Sequence, residues 1–333
     1  MLPLSVLDLA PITQGGSVAQ ALANARSLAQ AAERFGYRRF WLAEHHGMPG
    51  IASAATSVVI GHVAAGTTTI RVGAGGIMLP NHSPLVIAEQ FGTLAALFPG
   101  RIDLGLGRAP GSDQPTMRAL RRTNESADAF PYDVAELISY LDPAPPSPGV
   151  RAVRAVPGAG ANVPVWILGS SLFGAHLAAA MGLPFAFASH FAPAMLMQAI
   201  DVYRSEFRAS KHLEKSFLML GLNSFAAETD EEAQWLFTSM KRSFLNLRRG
   251  HPTQLAPPSR DVEDDMTPAE RAMLQEVLAC TLIGSRSTVA AGLRAFAKST
   301  GADELMISAQ IYDFQARVRS FEITALANGE RAP

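Results

Sequence analysis

One cysteine, Cys280, is all that the 333 residues contain. An intrachain disulfide and a cysteine-rich metal cluster are both excluded, which suits a reducing compartment, and Cys280 itself reads as a small core residue. Charge is scarce as well: 17% of residues are charged, and 28 basic against 29 acidic side chains leave a net charge of −1. No global field draws such a chain to nucleic acid or anionic lipid, so any phosphate binding has to be local. No apolar run is long enough to cross a bilayer. The apolar start MLPLSVLDLAPI lacks a basic leader and reads as a first strand rather than a signal peptide. These absences lead to the expectation of a cytoplasmic protein with no nucleic-acid or membrane partner. What is present in quantity is core material, 48% hydrophobic residues, which argues against disorder.

The hydrophobic pattern alternates along the chain. Strands are predicted at 4–9, 38–43, 70–74, 101–106, 163–168, 184–189, 217–227 and 303–310. Helical patterns fall between them, at 18–35, 53–65, 84–97, 115–140, 172–181, 193–209 and 230–248, then at 268–278, 286–299 and finally 313–327. Such alternation predicts a parallel sheet with right-handed crossovers. Eight strands, with a helix to close the ring, make a single (β/α)8 TIM barrel spanning 1–333, with insertions after strand 4 and between strands 7 and 8. The first insertion carries the proline-rich LDPAPPSPG (141–149); the second, polar and proline-containing at 250–268, reads as a mobile lid. An open doubly wound sheet is the competing architecture. It lacks its fingerprint, because the first strand is not followed by G-x-G-x-x-G.

At three predicted strand ends the chain places groups that packing does not require: Glu44-His45-His46, Gly73-Ala74-Gly75-Gly76, and Arg108. The carboxyl ends of parallel strands face one side, so these groups converge. Imidazole titrates near neutrality, which marks His45 as a general acid or base; the plainer reading pairs Glu44 with one histidine and packs the other. Adjacent histidines are not i and i+4 on a helix, no H-E-x-x-H occurs, and no metal is expected. Gly75 and Gly76 leave bare backbone against which a flat ring could lie, or else mark a bulge. The Arg108 guanidinium is a fork of donors suited to phosphate. Ser170 and Ser171 sit at a strand-to-helix junction, where free amides and the helix dipole attract an anion, although a serine N-cap is the commonplace alternative.

In this order the stretches WLAEHHGMPGIAS, IRVGAGGIMLPNHSP, GRIDLGLGRAPGSDQ and WILGSSLFGAHLAAAMGLPFAFASHFAP resemble the bacterial luciferase-like, flavin-dependent monooxygenases. The likeness runs from the first strand to the last helix. It implies a (β/α)8 barrel that binds reduced FMN, or in some branches the deazaflavin F420, at the carboxyl ends of the strands. By position His45 matches the family's catalytic histidine, and Gly75-Gly76 matches a dipeptide that in luciferase is joined by a non-prolyl cis bond beneath the flavin. Arg108 matches a phosphate arginine, and Ser170-Ser171 match the phosphate-binding turn. Two departures stand out. Gly107 replaces a reactive cysteine of luciferase, and no second phosphate arginine aligns clearly, with Arg118, Arg121 and Arg122 all in range.

The resemblance implies an oxygenase in which FMNH2 from a separate flavin reductase reacts with O2 to a C4a-hydroperoxide that oxygenates a small organic substrate. An F420-dependent hydride transferase and a non-catalytic flavin-binding protein are the alternatives. Light emission does not follow from fold. The small-residue helix IASAATSVVIGHVAAG (51–66) favours a homodimer, its alternative being a tight internal contact.

Overall fold

Strand β1 (Leu4–Asp8) is central to the ring that the apolar pattern builds. The computed structural model describes residues 2–108, 114–143 and 153–329. After β1 come α1 (Val18–Arg34), β2 (Arg39–Leu42), α2 (Thr56–Ala64), β3 (Arg71–Met78), α3 (Pro84–Leu97) and β4 (Ile102–Gly107). Two helices, α4 (Gln114–Ala119) and α5 (Phe130–Leu141), precede β5 (Val165–Gly169). There follow α6 (Leu172–Met181), β6 (Phe185–Phe187), α7 (Leu196–Glu206), β7 (Leu218–Ala226) and α8 (Asp230–Arg248). The chain ends with α9 (Pro268–Val277), β8 (Thr281–Gly284), α10 (Arg286–Thr300), β9 (Glu304–Ser308) and α11 (Phe314–Ala327).

All strand pairings are parallel, and β1-β2-β3-β4-β5-β6-β7-β9 close on themselves through the β1–β9 pair. The open doubly wound sheet is thereby excluded and the TIM barrel stands. One strand was not foreseen. The first half of β7 pairs with β9 (Met219 to Asn223), and its second half pairs with β8 (Asn223 to Ala226), so β7 forks and β8 lies outside the ring. Thr281-Leu282-Ile283-Gly284 is too short to announce itself by alternation. The single helix expected over 115–140 is broken into α4, a short 3-10 turn and α5. The proline-rich insertion lies largely outside the described residues, at 144–152.

Helix ends follow local chemistry. The Ser17 side chain accepts from the Gln20 amide at the start of α1, and Thr267 with Glu270 forms a capping box on α9. Two apolar layers result. One lies between the strands and the surrounding helices; the other fills the barrel with Leu7, Trp41, Ala43, Trp166, Met219 and Met306. Each large side chain withdrawn from water here stabilises the fold by about 1.5–3 kcal/mol. Beneath that interior layer, at the amino ends of the strands, Arg39 bonds to Asp103 at 2.8 Å and to Glu304 at 2.9 Å. Its guanidinium also lies 4.9 Å from the centre of the Trp166 ring. A buried cation between two buried carboxylates is tolerable only because it is paired.

Candidate active site

The opposite end of the barrel, at the carboxyl ends of the strands, opens on a cavity of about 870 Å³. His45, Gly75, Gly76, Arg108, Ser170 and Ser171 all line it. Among the described residues no carboxylate does, and its charged side chains are Arg108 and Arg248. The floor is apolar, made by Leu7, Trp41, Met219 and Met306 from the barrel's interior layer.

His45 enters from the loop after β2. That loop is held by Ser53, whose hydroxyl donates to the Ala43 and Leu9 carbonyls. His45 Nδ1 is buried without a hydrogen-bond partner. Burial pushes the imidazole below its ordinary pKa; the Glu44 charge opposes this, and His46 adds to it.

Glu44 organises the same corner. Its carboxylate is 1% exposed and accepts from His46 Nε2 at 2.8 Å, His82 Nε2 at 2.9 Å and the Met78 amide at 3.0 Å. Burial pushes this carboxyl up, but His82, His46 and the Met78 amide together hold it below the usual range. The pairing of Glu44 with a histidine is therefore present, and the histidine is His46, not His45. His82 was not foreseen, because it arrives from the turn after β3. Glu44, His46 and His82 have ligand atoms within 4.8 Å of one another, a grouping that spacing along the chain could not reveal when no metal was expected. In this structure the two imidazoles and the carboxylate satisfy one another as donors and acceptor.

The Gly75–Gly76 peptide is cis. The β3–β4 register shifts between Ala74 and Ile77, so the bulge weighed as an alternative is there. Side chains would not fit: a Cβ on Gly76 would lie 2.8 Å from the Gly105 carbonyl oxygen, and one on Gly75 would lie 2.8 Å from Leu7 Cδ1. Gly107 is similarly close to Met78, where a Cβ would meet Sδ at 2.8 Å. A side chain at the position of luciferase's cysteine would displace Met78.

Across the cavity, the exposed Arg108 guanidinium stacks 4.1 Å from the centre of the Phe173 ring. Ser171 is the N-cap of α6, yet its side chain makes no cap hydrogen bond, leaving its hydroxyl and the first-turn amides available. Of the arginines considered for a second anion contact, neither Arg118, Arg121 nor Arg122 lines the cavity. Arg248, at the end of α8, does so unforeseen.

The segment read as a lid sits where that reading requires, with Gly250, Pro252, Thr253 and Leu255 on the cavity wall. It is also tied down. The Leu255 amide donates to the Ile12 carbonyl and its own carbonyl accepts from Gln14, both near 2.9 Å. Cys280 is half-buried, and burial pushes its thiol up to about 11. No helix among the described residues is long and apolar enough to cross a membrane.

The luciferase-like monooxygenase family model matches residues 2–304, and the chain belongs to that family. It is 56% identical over 320 residues to a luciferase-like monooxygenase of Escherichia coli strain K12, covering 96% of this chain and 95% of that one. An N-acetyl-S-alkylcysteine monooxygenase of Bacillus subtilis strain 168 is 37% identical over 254 residues, 75% of each chain. Among solved structures, apo-MsnO8 superposes with a TM-score of 0.91 at 34% identity, covering 100% of both chains. More distant folds of the same kind include a type II Baeyer–Villiger monooxygenase in complex with FMN, at TM-score 0.71 and 18% identity over 100% of this chain and 99% of that one. An F420-dependent secondary alcohol dehydrogenase has TM-score 0.73 and 14% identity, covering 98% of each. The protein is an oxidoreductase of the monooxygenase type with a small-molecule substrate.

Proposed function

We propose that the chain is the oxygenase component of a two-component flavoprotein system, using FMNH2 from a separate flavin reductase and O2 to oxygenate a small organic substrate. The observation that carries this reading is the placing of an anion-binding group and an unpartnered histidine in one apolar cavity. Arg108, the Ser170 and Ser171 hydroxyls and the α6 amides form a donor set that fits a phosphate tail, and among the described residues no carboxylate lines the cavity against it. Gly75 and Gly76 offer a wall without side chains to a flat ring system.

Reduced flavin, when bound, supplies the electrons that activate O2. The chain's own residues do the rest. Arg108 and the serine turn hold the anion and fix register. Leu7, Trp41, Met219 and Met306 keep water from the reacting centre, and Leu255 with its neighbours covers the mouth. His45, uncharged at neutral pH and free at its ring nitrogens, accepts or returns a proton at Nε2. A homodimer accords with α2, where the apolar Val58 is 71% exposed.

The test is anaerobic titration with FMNH2 and with F420, followed by oxygen uptake with aldehydes, ketones and aromatic polyketides. FMNH2 is expected to bind and O2 to be consumed with product. Tight binding of F420 alone, with hydride transfer and no O2 uptake, would replace this reading with the deazaflavin one; peroxide as the sole product would favour a non-catalytic flavin binder. Replacing His45 with Ala is expected to lower product per flavin oxidised, and unchanged coupling would remove the role given to it.

A further inference from the structure

His190 lies in the fourth of the stretches that carry the family resemblance, yet the proposed oxygenase chemistry gives it no role. It follows β6, whereas His45 follows β2, and in a ring of eight those strands stand on opposite sides. Both side chains nevertheless line the one cavity, and they come near enough for His45 to influence His190 electrostatically. The two imidazoles thus reach the one cavity from opposite sides of the ring of strands.

His190 is firmly placed. Its carbonyl accepts from Asn223 Nδ2 at 2.6 Å, and the neighbouring Ser189 hydroxyl donates to the Gly221 carbonyl at 2.6 Å. Phe191 packs edge-on against the ring at 4.8 Å between centres. Glycine at 221 makes the position available, since a Cβ there would lie 2.2 Å from His190 Nδ1. Nδ1 is buried without a partner, as it is in His45. In both rings Nε2 is left as the nitrogen that is neither bonded nor sealed off, so each presents Nε2 to the cavity.

Burial pushes His190 down to about 4, with His45 adding to the effect, and lowers His45 as well. Both rings are therefore neutral near pH 7. With no partner on Nδ1, nothing fixes either tautomer, and each Nε2 is free to donate or accept. An alkylammonium finds no carboxylate among the described residues that line this cavity. A carbonyl or a carboxylate, which only accepts, requires both rings to hold their proton on Nε2. A hydroxyl does both: it donates its proton to one Nε2 and accepts from the other.

We propose that His45 and His190 form a two-imidazole clamp for a neutral hydroxyl on the organic substrate, so that this enzyme takes apolar molecules bearing an alcohol or phenol. The proposal rests on the oxygenase reading, which assigns the β3, β4 and β5 side of the mouth to the flavin. It gives the side of β6, β7 and β9, with His190, Gly221, Met219 and Met306, to the substrate.

The experiment compares 2-naphthol with 2-methoxynaphthalene, its methyl ether, by fluorescence titration of the full chain, with and without oxidised FMN. Wild-type protein is expected to bind the naphthol about tenfold more tightly than the ether, in line with one or two buried hydrogen bonds. His190→Phe and His45→Phe are each expected to abolish that preference while leaving ether affinity within about twofold; His190→Gln is expected to restore part of it. Equal affinity of wild-type protein for the two probes, failure of the naphthol to bind, displacement of it by FMN, or an unchanged preference in folded His190→Phe would each overturn the clamp. FMN binding, read in the same samples from flavin fluorescence, does not depend on His190. Loss of the naphthol preference with FMN binding intact therefore separates failure of the clamp from failure of the oxygenase reading.

Discussion

Replacing Glu44 with Gln tests the corner on which His45 stands. The carboxylate is 1% exposed and receives three donors within 3.0 Å: His46 Nε2, His82 Nε2 and the Met78 amide. A hydrogen bond to a charged group is worth about 1.5–3 kcal/mol. Glutamine keeps one accepting oxygen but turns an NH2 toward groups that donate to the carboxylate, so a bond is lost or an imidazole has to shift its proton off Nε2 to accept. The contributions are not additive, and loss of one member of a buried charged group costs about 3–5 kcal/mol. The lower end of that range is expected, because His46 and His82 can turn toward water at 19% and 27% side-chain exposure.

The assay is urea denaturation at pH 7, with hydrogen exchange at the Met78 amide as the local measure. Exchange there is expected to speed up by one to two orders of magnitude, each tenfold corresponding to about 1.4 kcal/mol of easier opening. Glu44 has its folded-state pKa held below the ordinary value of 4.5, so its stabilisation is complete above about pH 4.5 and disappears as pH falls through the folded value. The gap between wild type and variant must therefore narrow on acidification. A variant within about 0.5 kcal/mol of wild type at pH 7, or a gap constant with pH, would refute the reasoning. The Glu44 charge also raises the pKa of His45 against burial, so in the variant His45 should protonate at lower pH, which carbon NMR of the imidazole can follow.

Three further outcomes are expected. Asp103→Ala leaves the buried Arg39 with Glu304 alone and strips Arg71 and Trp41 of an acceptor; stability should fall by about 3–5 kcal/mol, roughly 4–7 °C in Tm by thermal scan, with Asp103→Asn intermediate. Burial pushes the Glu33 carboxyl up, but the Ile70, Thr69 and Thr68 amides donating to it outweigh that and bring its pKa down to about 2. Glu33→Gln should accordingly cost about 1–2 kcal/mol at pH 7 after solvent screening, and that deficit should vanish between about pH 4.5 and 2. With its thiol pushed up to about 11, Cys280 should react with a disulfide reagent far more slowly at pH 8 than free cysteine does, and at the free rate only after unfolding.

The apolar alternation of the first seven strand-helix units was legible without coordinates, because whether a segment alternates with period 2 or 3.6 is a property of neighbouring residues. The same holds for His45, Gly75, Gly76, Arg108, Ser170 and Ser171, which stand beside the ends of those strands. Strand β8 was not legible. Its four residues carry no resolvable period, and they become a strand only because β7 extends past β9 and offers unpaired backbone. The break between α4 and α5 was missed as well, although Arg121 to Ser126 holds no apolar residue to carry the helical period across it.

Sequence alone settled that eight parallel strands would aim their carboxyl ends one way and which side chains would stand there. Tertiary structure alone decided which distant residues meet: His82 on Glu44, Arg248 at the rim, and His190 opposite His45. The reason is closure. A local pattern specifies the face a residue points from, but the partner across a barrel is set by strand order and register around the whole ring.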